Sequence, residues 1–389
     1  MTTFSPGLRG VEPYPFEALD RAKAEAVAAG RDVIDFGVGD PREVTPAFIR
    51  RGLTDAIEPI SSYPRAAGLH ELRRSIAGWI SRRFDVSVDQ STQLLPTLGS
   101  KEIVFSLASA IVDPASGRDL VVVTAPGYTV PERGAQYVGA QVMRLPLSEG
   151  RGFLPDLDAL DPATLRRTAI LWTNYPNNPT GATAPLEWYE RVAALAREYG
   201  FVWASDEAYS ELWFDRPPAS ALQVGDLTNV FCVNTLSKRS SMTGYRSGFA
   251  AGDADLIGAL KHLRPATGVT PQEFVQRASV LAWNDESHVA ENRARYAAKR
   301  RVLLDLFDRK QIRVAGSSAT FYLWVVVPGG EPSTTFAMRL LDQAGVVVAP
   351  GAFFGPEGEG YVRIALVPTV EDCERAAVAL DGVLGEVHT

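Results

Sequence analysis

The residues best suited to chemistry stand at intervals through the middle of the chain, each just past a short apolar run. Lys238 follows Val230-Phe-Cys-Val233, and Arg246 comes eight residues later within Gly-Tyr-Arg-Ser-Gly. A lysine at the edge of a buried strand can shed its proton and attack a carbonyl to form an imine. An arginine close by can hold a dianionic phosphate through forked hydrogen bonds. These are the two needs of pyridoxal phosphate, an amine for its aldehyde and an anchor for its phosphate. Taken alone, the pair reads equally well as a surface lysine and a structural arginine, so the other positions must decide.

Upstream, Asp206 and Tyr209 lie in Ser205-Asp-Glu-Ala-Tyr209 after Phe201-Val-Trp-Ala204. A carboxylate in apolar surroundings is costly unless a cation faces it, and a pyridinium nitrogen is such a cation. Tyr209 is placed to reach the ring oxygen beside the imine; a simple helix cap by Asp206 is the plainer alternative. In Asn174-Tyr-Pro-Asn-Asn-Pro-Thr-Gly181 two prolines and a glycine constrain the backbone beyond a strand, aiming the Asn178 amide in one direction. That amide can donate to a phenolate-type oxygen and support a substrate carboxylate. Tyr128, in Ala125-Pro-Gly-Tyr-Thr129, offers a stacking face or ordinary packing. Gly99-Ser-Lys-Glu102 opens a helix whose free N–H groups, with the Ser100 hydroxyl, suit a phosphate; the alternative is an N-cap. A phosphate loop, an aromatic, an asparagine, an aspartate, a lysine and an arginine thus recur in order on successive strand ends.

The elements that would position them alternate. Continuous apolar runs at Leu120–Thr124, Ala169–Trp172, Phe201–Ala204, Val230–Val233 and Phe249–Ala251 are separated by helical stretches, most clearly Leu186 to Tyr199. This predicts an α/β fold with a mainly parallel central sheet flanked by helices, with ligands at the C-terminal strand ends. Before it, residues 1–15 read as irregular, Phe16–Ala29 as a helix ended by Gly30, and Val33–Phe36 as a strand. Thr45-Pro46 reads as an N-cap with proline at the first helical position, followed by Phe48, Ile49, Leu53 and Ile57 on one helical face. Further helices are expected over 69–84, with Leu69, Leu72, Ile76 and Ile80 inward, and from Ser100, with Ile103, Leu107 and Ile111 inward. After about 275 come a charged helix over 287–309, strand-like runs at 320–327, 346–349 and 361–367, and a last helix from Val370. The expected division is an N-terminal segment 1–45 joining a small domain, a large domain 46–275 and a small α/β domain 276–389.

With 389 residues, 46% hydrophobic and 22% charged, the chain can bury a large core. Its net charge of -7 argues against a nucleic-acid surface. Two distant cysteines and four scattered histidines point to neither disulfide nor metal, and no apolar run is long enough to span a membrane. No signal-peptide pattern opens the chain, and the expectation is a cytoplasmic protein.

The set as a whole resembles the class I/II aminotransferases, fold type I enzymes dependent on pyridoxal 5'-phosphate. Asn178 in Asn-Asn-Pro-Thr-Gly, Asp206 and Tyr209 in Asp-Glu-Ala-Tyr, and Lys238 with Arg246 carry the likeness, which runs from Gly37-Val-Gly-Asp-Pro41 to the strand around Arg363. The resemblance implies Lys238 as the Schiff-base lysine and catalytic base, with Asp206 and Tyr209 tuning the cofactor. It implies a phosphate site of Thr235, Arg246 and the Ser100–Lys101 backbone. It implies Arg363 as the clamp on the substrate α-carboxylate beside Asn178, and Gly39 as the small residue beside the incoming substrate. An arginine in so apolar a strand needs an anionic partner in any case. Tyr63, in Tyr-Pro-Arg-Ala-Ala-Gly, is implied to reach the neighbouring subunit's phosphate, hence a homodimer with shared sites. The activity implied is amino transfer between an amino acid, with glutamate the usual donor, and a keto acid. Thr235-Leu-Ser-Lys-Arg-Ser-Ser-Met-Thr-Gly-Tyr-Arg-Ser-Gly-Phe249 is most similar to the succinyldiaminopimelate aminotransferases of lysine biosynthesis, whereas Gly39-Asp-Pro-Arg-Glu43 departs from them. Arg42, Arg65 and Arg239 are candidates for a distal substrate carboxylate, each with a surface or packing alternative. Three other readings stay open: a transaminase of another amino acid in specialised biosynthesis, a lyase or decarboxylase on the same fold, and a cofactor-binding regulatory module.

Overall fold

A computed structural model describes residues 6–9 and 17–384. The start expected to be irregular lies outside them except for Pro6–Arg9, a single helical turn. The next helix is described over Glu17–Ala28, and Gly30 follows it in the left-handed region.

The apolar runs form strands because helices cover both faces of one seven-stranded sheet, leaving most of its strands buried on both sides. Its order is Leu94–Thr97, Gly248–Gly252, Val230–Thr235, Val202–Asp206, Thr168–Asn174, Leu120–Ala125, Gln141–Pro146. Gly248–Gly252 runs antiparallel to both neighbours, and the remaining pairs are parallel. The sheet is therefore mixed but mostly parallel, as expected for the fold type I architecture. Its two outer strands are absent from the sequence reading. Both are edges: Leu94–Thr97 is short and contains Pro96, and Gln141–Pro146 leaves Gln141, Arg144 and Pro146 exposed.

Helices at Leu186–Tyr199 and Ser287–Arg309 have the anticipated bounds. In His70–Phe84, Leu72, Ile76 and Ile80 are fully buried. Two local expectations are corrected. The helix Ala47–Asp55 takes Pro46 as its N-cap, and the Thr45 hydroxyl donates instead to the Ser241 carbonyl at 2.6 Å. Ile57 lies beyond that helix and is exposed, so the inward face ends earlier than its spacing suggests.

Toward the C-terminus an antiparallel sheet runs Ala349–Pro350, Tyr361–Ala365, Tyr322–Val326, Val314–Gly316. The apolar run at 346–349 is split, because Val346–Val347 pairs in parallel with Ile34–Asp35 in a separate two-stranded sheet. One apolar cluster joins Ile49, Leu72, Trp79 and Trp203. A second gathers Phe36, Leu303, Phe307, Leu323 and Ile364 under the smaller sheet. The division near residues 45 and 275 stays a proposal; across the second point, Glu273–Asn284 sends Ala278 and Trp283 into the first cluster. Among the described residues no helix is long and apolar enough to cross a membrane, and no group of His, Cys, Asp and Glu could hold a metal.

Candidate active site

A cavity of about 370 Å³ opens at the C-terminal ends of the central strands, roofed by Tyr322 and Arg363 from the antiparallel sheet. Lys238, Asp206, Tyr209, Asn178, Thr235, Arg246, Ser100, Lys101, Tyr128, Gly39 and Arg363 all line it. Tyr63, implied for the partner's site, stands apart, its side chain fully exposed on this chain.

Strand pairing explains the convergence. In the parallel register Asn174 lies opposite Asp206, and Asp206 opposite Val233, two residues before its own strand ends at Thr235, so three adjacent strands end close together. Lys238 then projects from the helical turn Leu236–Arg239, and its Nζ donates to the Gly39 carbonyl at 2.6 Å. Burial lowers its ammonium to about 8, against the opposing pull of Asp40. Arg363 and Arg246 add to the lowering. The amine therefore becomes available far below the usual lysine range.

Burial has the opposite effect on Asp206, lifting its carboxyl to about 6 although the Ala208 N–H donates to it at 3.1 Å. Asn174 braces this strand end: its Nδ2 donates to the Asp206 carbonyl at 2.8 Å, and its Oδ1 accepts from the Asn178 N–H at 2.8 Å. Asn177 closes the same loop by accepting from the Thr180 hydroxyl at 2.7 Å. The loop is thus held at three points, and Asn178 presents its Oδ1 to Arg363 Nη1 at 2.9 Å.

At the opposite end, Ser100 occupies the N-cap position of the helix Lys101–Ile111, and its side chain makes no capping hydrogen bond. Arg246 adopts a left-handed backbone, φ 54°, an arrangement costing a non-glycine residue about 1 kcal/mol. Its guanidinium donates to the carbonyls of Thr243 and Leu98 at 3.0 and 3.1 Å. Gly99 makes room for it, since a Cβ there would lie 2.8 Å from Nη2. Thr235 Oγ1 accepts from the Ser237 N–H at 3.1 Å, beside two residues that line the cavity.

Arg363 is buried, donates to the Gly37 carbonyl at 2.7 Å and lies 4.3 Å above the Tyr322 ring. The plainer reading of a surface arginine is thereby excluded. Gly39 is required by Tyr322 itself, because a Cβ at that position would fall 2.0 Å from the phenol oxygen. Gly39→Ala is expected to raise the amino-acid KM by about 10-fold and to cost about 1–3 kcal/mol of stability through overpacking. Steady-state kinetics with chemical denaturation checks this, and unchanged values would mean that the loop yields freely.

Tyr322, Asp40, Asn174 and Phe354 line the cavity without having been assigned to it from sequence. Asn174 and Asp40 sit in stretches already singled out, Asn174–Gly181 and Gly37–Pro41, whereas Tyr322 falls in a strand-like run and Phe354 in neither kind of stretch. The distal-carboxylate candidates do not converge. Arg239 is buried between Trp79 and Trp283 and paired with Glu286, which makes it a packing arginine. Arg42 lies 3.6 Å from Asp35, and Arg65 is exposed; neither lines the cavity.

The family model for class I and II aminotransferases matches residues 31–380. The chain belongs to the class I and II aminotransferases. Similar proteins include an LL-diaminopimelate aminotransferase of Aquifex aeolicus, 40% identical over 97% of this chain and 98% of that one. Among solved structures, apo-BacF of Bacillus subtilis superposes with a TM-score of 0.94 at 29% identity, covering 100% of both chains. A probable N-succinyldiaminopimelate aminotransferase of Thermus thermophilus gives 0.87 at 28% identity, over 95% of this chain and 100% of that one.

Aminotransferases of this class depend on pyridoxal phosphate and work on amino and keto acids, and this chain is such an enzyme. The cavity fits the cofactor. An uncapped helix N-terminus with Ser100 and the Arg246 guanidinium suit a phosphate. A buried carboxylate, held in no ion pair among the described residues, suits a ring cation, and the low-lying Lys238 amine suits an aldehyde.

Proposed function

We propose that this aminotransferase acts through Lys238, with Asp206, Asn178 and Tyr209 around the cofactor ring, Arg246, Thr235, Ser100, Lys101 and Tyr128 holding it, and Arg363 taking the substrate α-carboxylate. The observation that carries this reading is the convergence of a depressed lysine, a buried aspartate and two arginines on one small cavity. When bound, pyridoxal phosphate supplies an electron sink beside the substrate α-carbon. Lys238 Nζ holds the cofactor and, once displaced, takes the proton from the α-carbon as a general base poised near neutral pH. Asp206 keeps a proton on the ring nitrogen by its charge. Arg363 and Asn178 fix the α-carboxylate, so that the bond to be broken lies next to Lys238.

For the substrate we propose the diaminopimelate class, with glutamate as the other amino acid and a place in lysine biosynthesis. Two observations favour LL-diaminopimelate over its succinylated form. The relatives at 37–40% identity are LL-diaminopimelate aminotransferases, whereas the neighbour named for the succinylated compound is 28% identical. Asp20 and Asp40 also line the cavity, and once Arg246 and Arg363 are assigned to phosphate and α-carboxylate, these acids suit a substrate ammonium that the succinyl amide lacks. The succinylated compound is the second reading, supported by the motif around Lys238. A donor panel of LL-diaminopimelate and N-succinyl-LL-diaminopimelate, with 2-oxoglutarate as acceptor, tests both. The expected result is a kcat/KM for LL-diaminopimelate higher by about 100-fold than for the succinylated compound, the scale of one well-placed charge contact. A reversed order would establish the second reading, and turnover of neither would remove both.

We further propose a homodimer in which Tyr63 serves the partner's site. Tyr63, Ile57 and Ile60 form an exposed segment on the lone chain, and a second copy would cover it.

A further inference from the structure

Two phenols meet at the roof of the cavity. Tyr209 Oη and Tyr322 Oη are 2.8 Å apart, both rings are buried, and either oxygen could be the donor. Tyr322 also reaches the carboxylate end. In the antiparallel register it faces Ala365, which puts Arg363 diagonally across on the same face of the sheet. That diagonal brings the guanidinium 4.3 Å above the Tyr322 ring. On another side the phenol oxygen comes so near Gly39 that a Cβ there would lie 2.0 Å from it. One side chain therefore touches the residue assigned to the cofactor ring, the residue assigned to the substrate carboxylate and the loop that receives the Lys238 amine.

We propose that Tyr322 is a positioning residue for amino transfer: its hydroxyl donates to Tyr209 and so commits the Tyr209 proton to the cavity, while the face of its ring holds the Arg363 guanidinium in place. The proposal rests on the reading that Tyr209 faces the ring oxygen of the cofactor. Linked hydroxyls polarise one another, so a Tyr209 oxygen that accepts from Tyr322 is a stronger donor onward. The cation–π contact with Arg363 depends on the ring and not on the hydroxyl, so two substitutions separate the two roles.

The test is a pH titration of visible absorbance in cofactor-loaded protein without substrate, for Tyr209→Phe, Tyr322→Phe and the double variant. Weaker donation leaves the ring oxygen more basic, and the nitrogen that joins lysine to cofactor keeps its proton to higher pH. Tyr209→Phe should move the midpoint upward, and Tyr322→Phe should move it the same way by about 0.5–1 unit. The double variant should match Tyr209→Phe alone, because Tyr322 acts through Tyr209. Tyr322→Phe should leave the amino-acid KM within about 2-fold, whereas Tyr322→Leu, which also removes the ring, should raise it by about 10-fold. A wild-type midpoint in Tyr322→Phe, with Tyr209→Phe shifted, overturns the proposal while sparing the site reading. Additive shifts in the double variant also overturn it. An unshifted Tyr209→Phe removes the site reading for Tyr209, and the proposal with it.

Discussion

Replacing Lys238 by alanine is expected to lower amino transfer by about 10⁴-fold or more, because one change removes both the covalent anchor and the base at the α-carbon. Lys238 Nζ makes its hydrogen bond to the Gly39 carbonyl, and the strand and turn around it are held by the backbone and by Thr235, so the fold should survive. The proposed phosphate end, with Arg246 and the start of Lys101–Ile111, is untouched and should still retain the cofactor without a covalent link. A single-turnover reaction with glutamate measures the loss, and the visible spectrum reports whether a linkage to the protein persists. Activity within about 100-fold of wild type, or an unchanged spectrum, would place the reacting amine elsewhere. In the ligand-free wild type the amine loses its proton around pH 8, so the rate of cofactor capture should rise as pH increases toward that value.

Asp206→Asn is expected to separate function from stability. The neutral side chain keeps an oxygen for the Ala208 N–H but loses the charge proposed to face the ring nitrogen, and kcat should fall by about 10²–10³-fold. Stability of the ligand-free protein should change in the other direction. The Asp206 carboxyl is raised from 3.8 to about 6 by burial, so between those values the native chain binds more protons than the unfolded one. Stability is therefore lost as pH rises through that window, and the full cost, about 3 kcal/mol, is present above pH 6. Asparagine does not titrate. Relative to wild type, the ligand-free variant should gain about this amount between roughly pH 4 and pH 7 in chemical denaturation. A difference independent of pH would show that Asp206 is not buried as a lone carboxyl.

How much was legible beforehand follows from what each signal depends on. Val230–Val233 and Ala169–Trp172 announce themselves because strands covered on both faces must be apolar throughout, and Leu186 to Tyr199 does so by its spacing and by Gly200 at its end. The edge strands Leu94–Thr97 and Gln141–Pro146 escaped because an edge needs neither continuous apolarity nor freedom from proline. Lys238, Asp206 and Asn178 were recognisable because each stands where an apolar run stops and a polar residue needs a reason.

The order of functional residue types along the chain, and the chemistry they could share, was determined by the sequence itself. Only the tertiary structure decided which arginines reach the cavity. Arg239 has the same charge as Arg246 and stands beside Lys238, yet it turns into a tryptophan cage, whereas Arg363, distant in sequence, arrives at Asn178. Tyr322 likewise read as one more buried strand residue until the antiparallel register placed it between Arg363 and Tyr209. A side chain's role depends on what its neighbours across the sheet present to it, and local pattern carries no record of those neighbours.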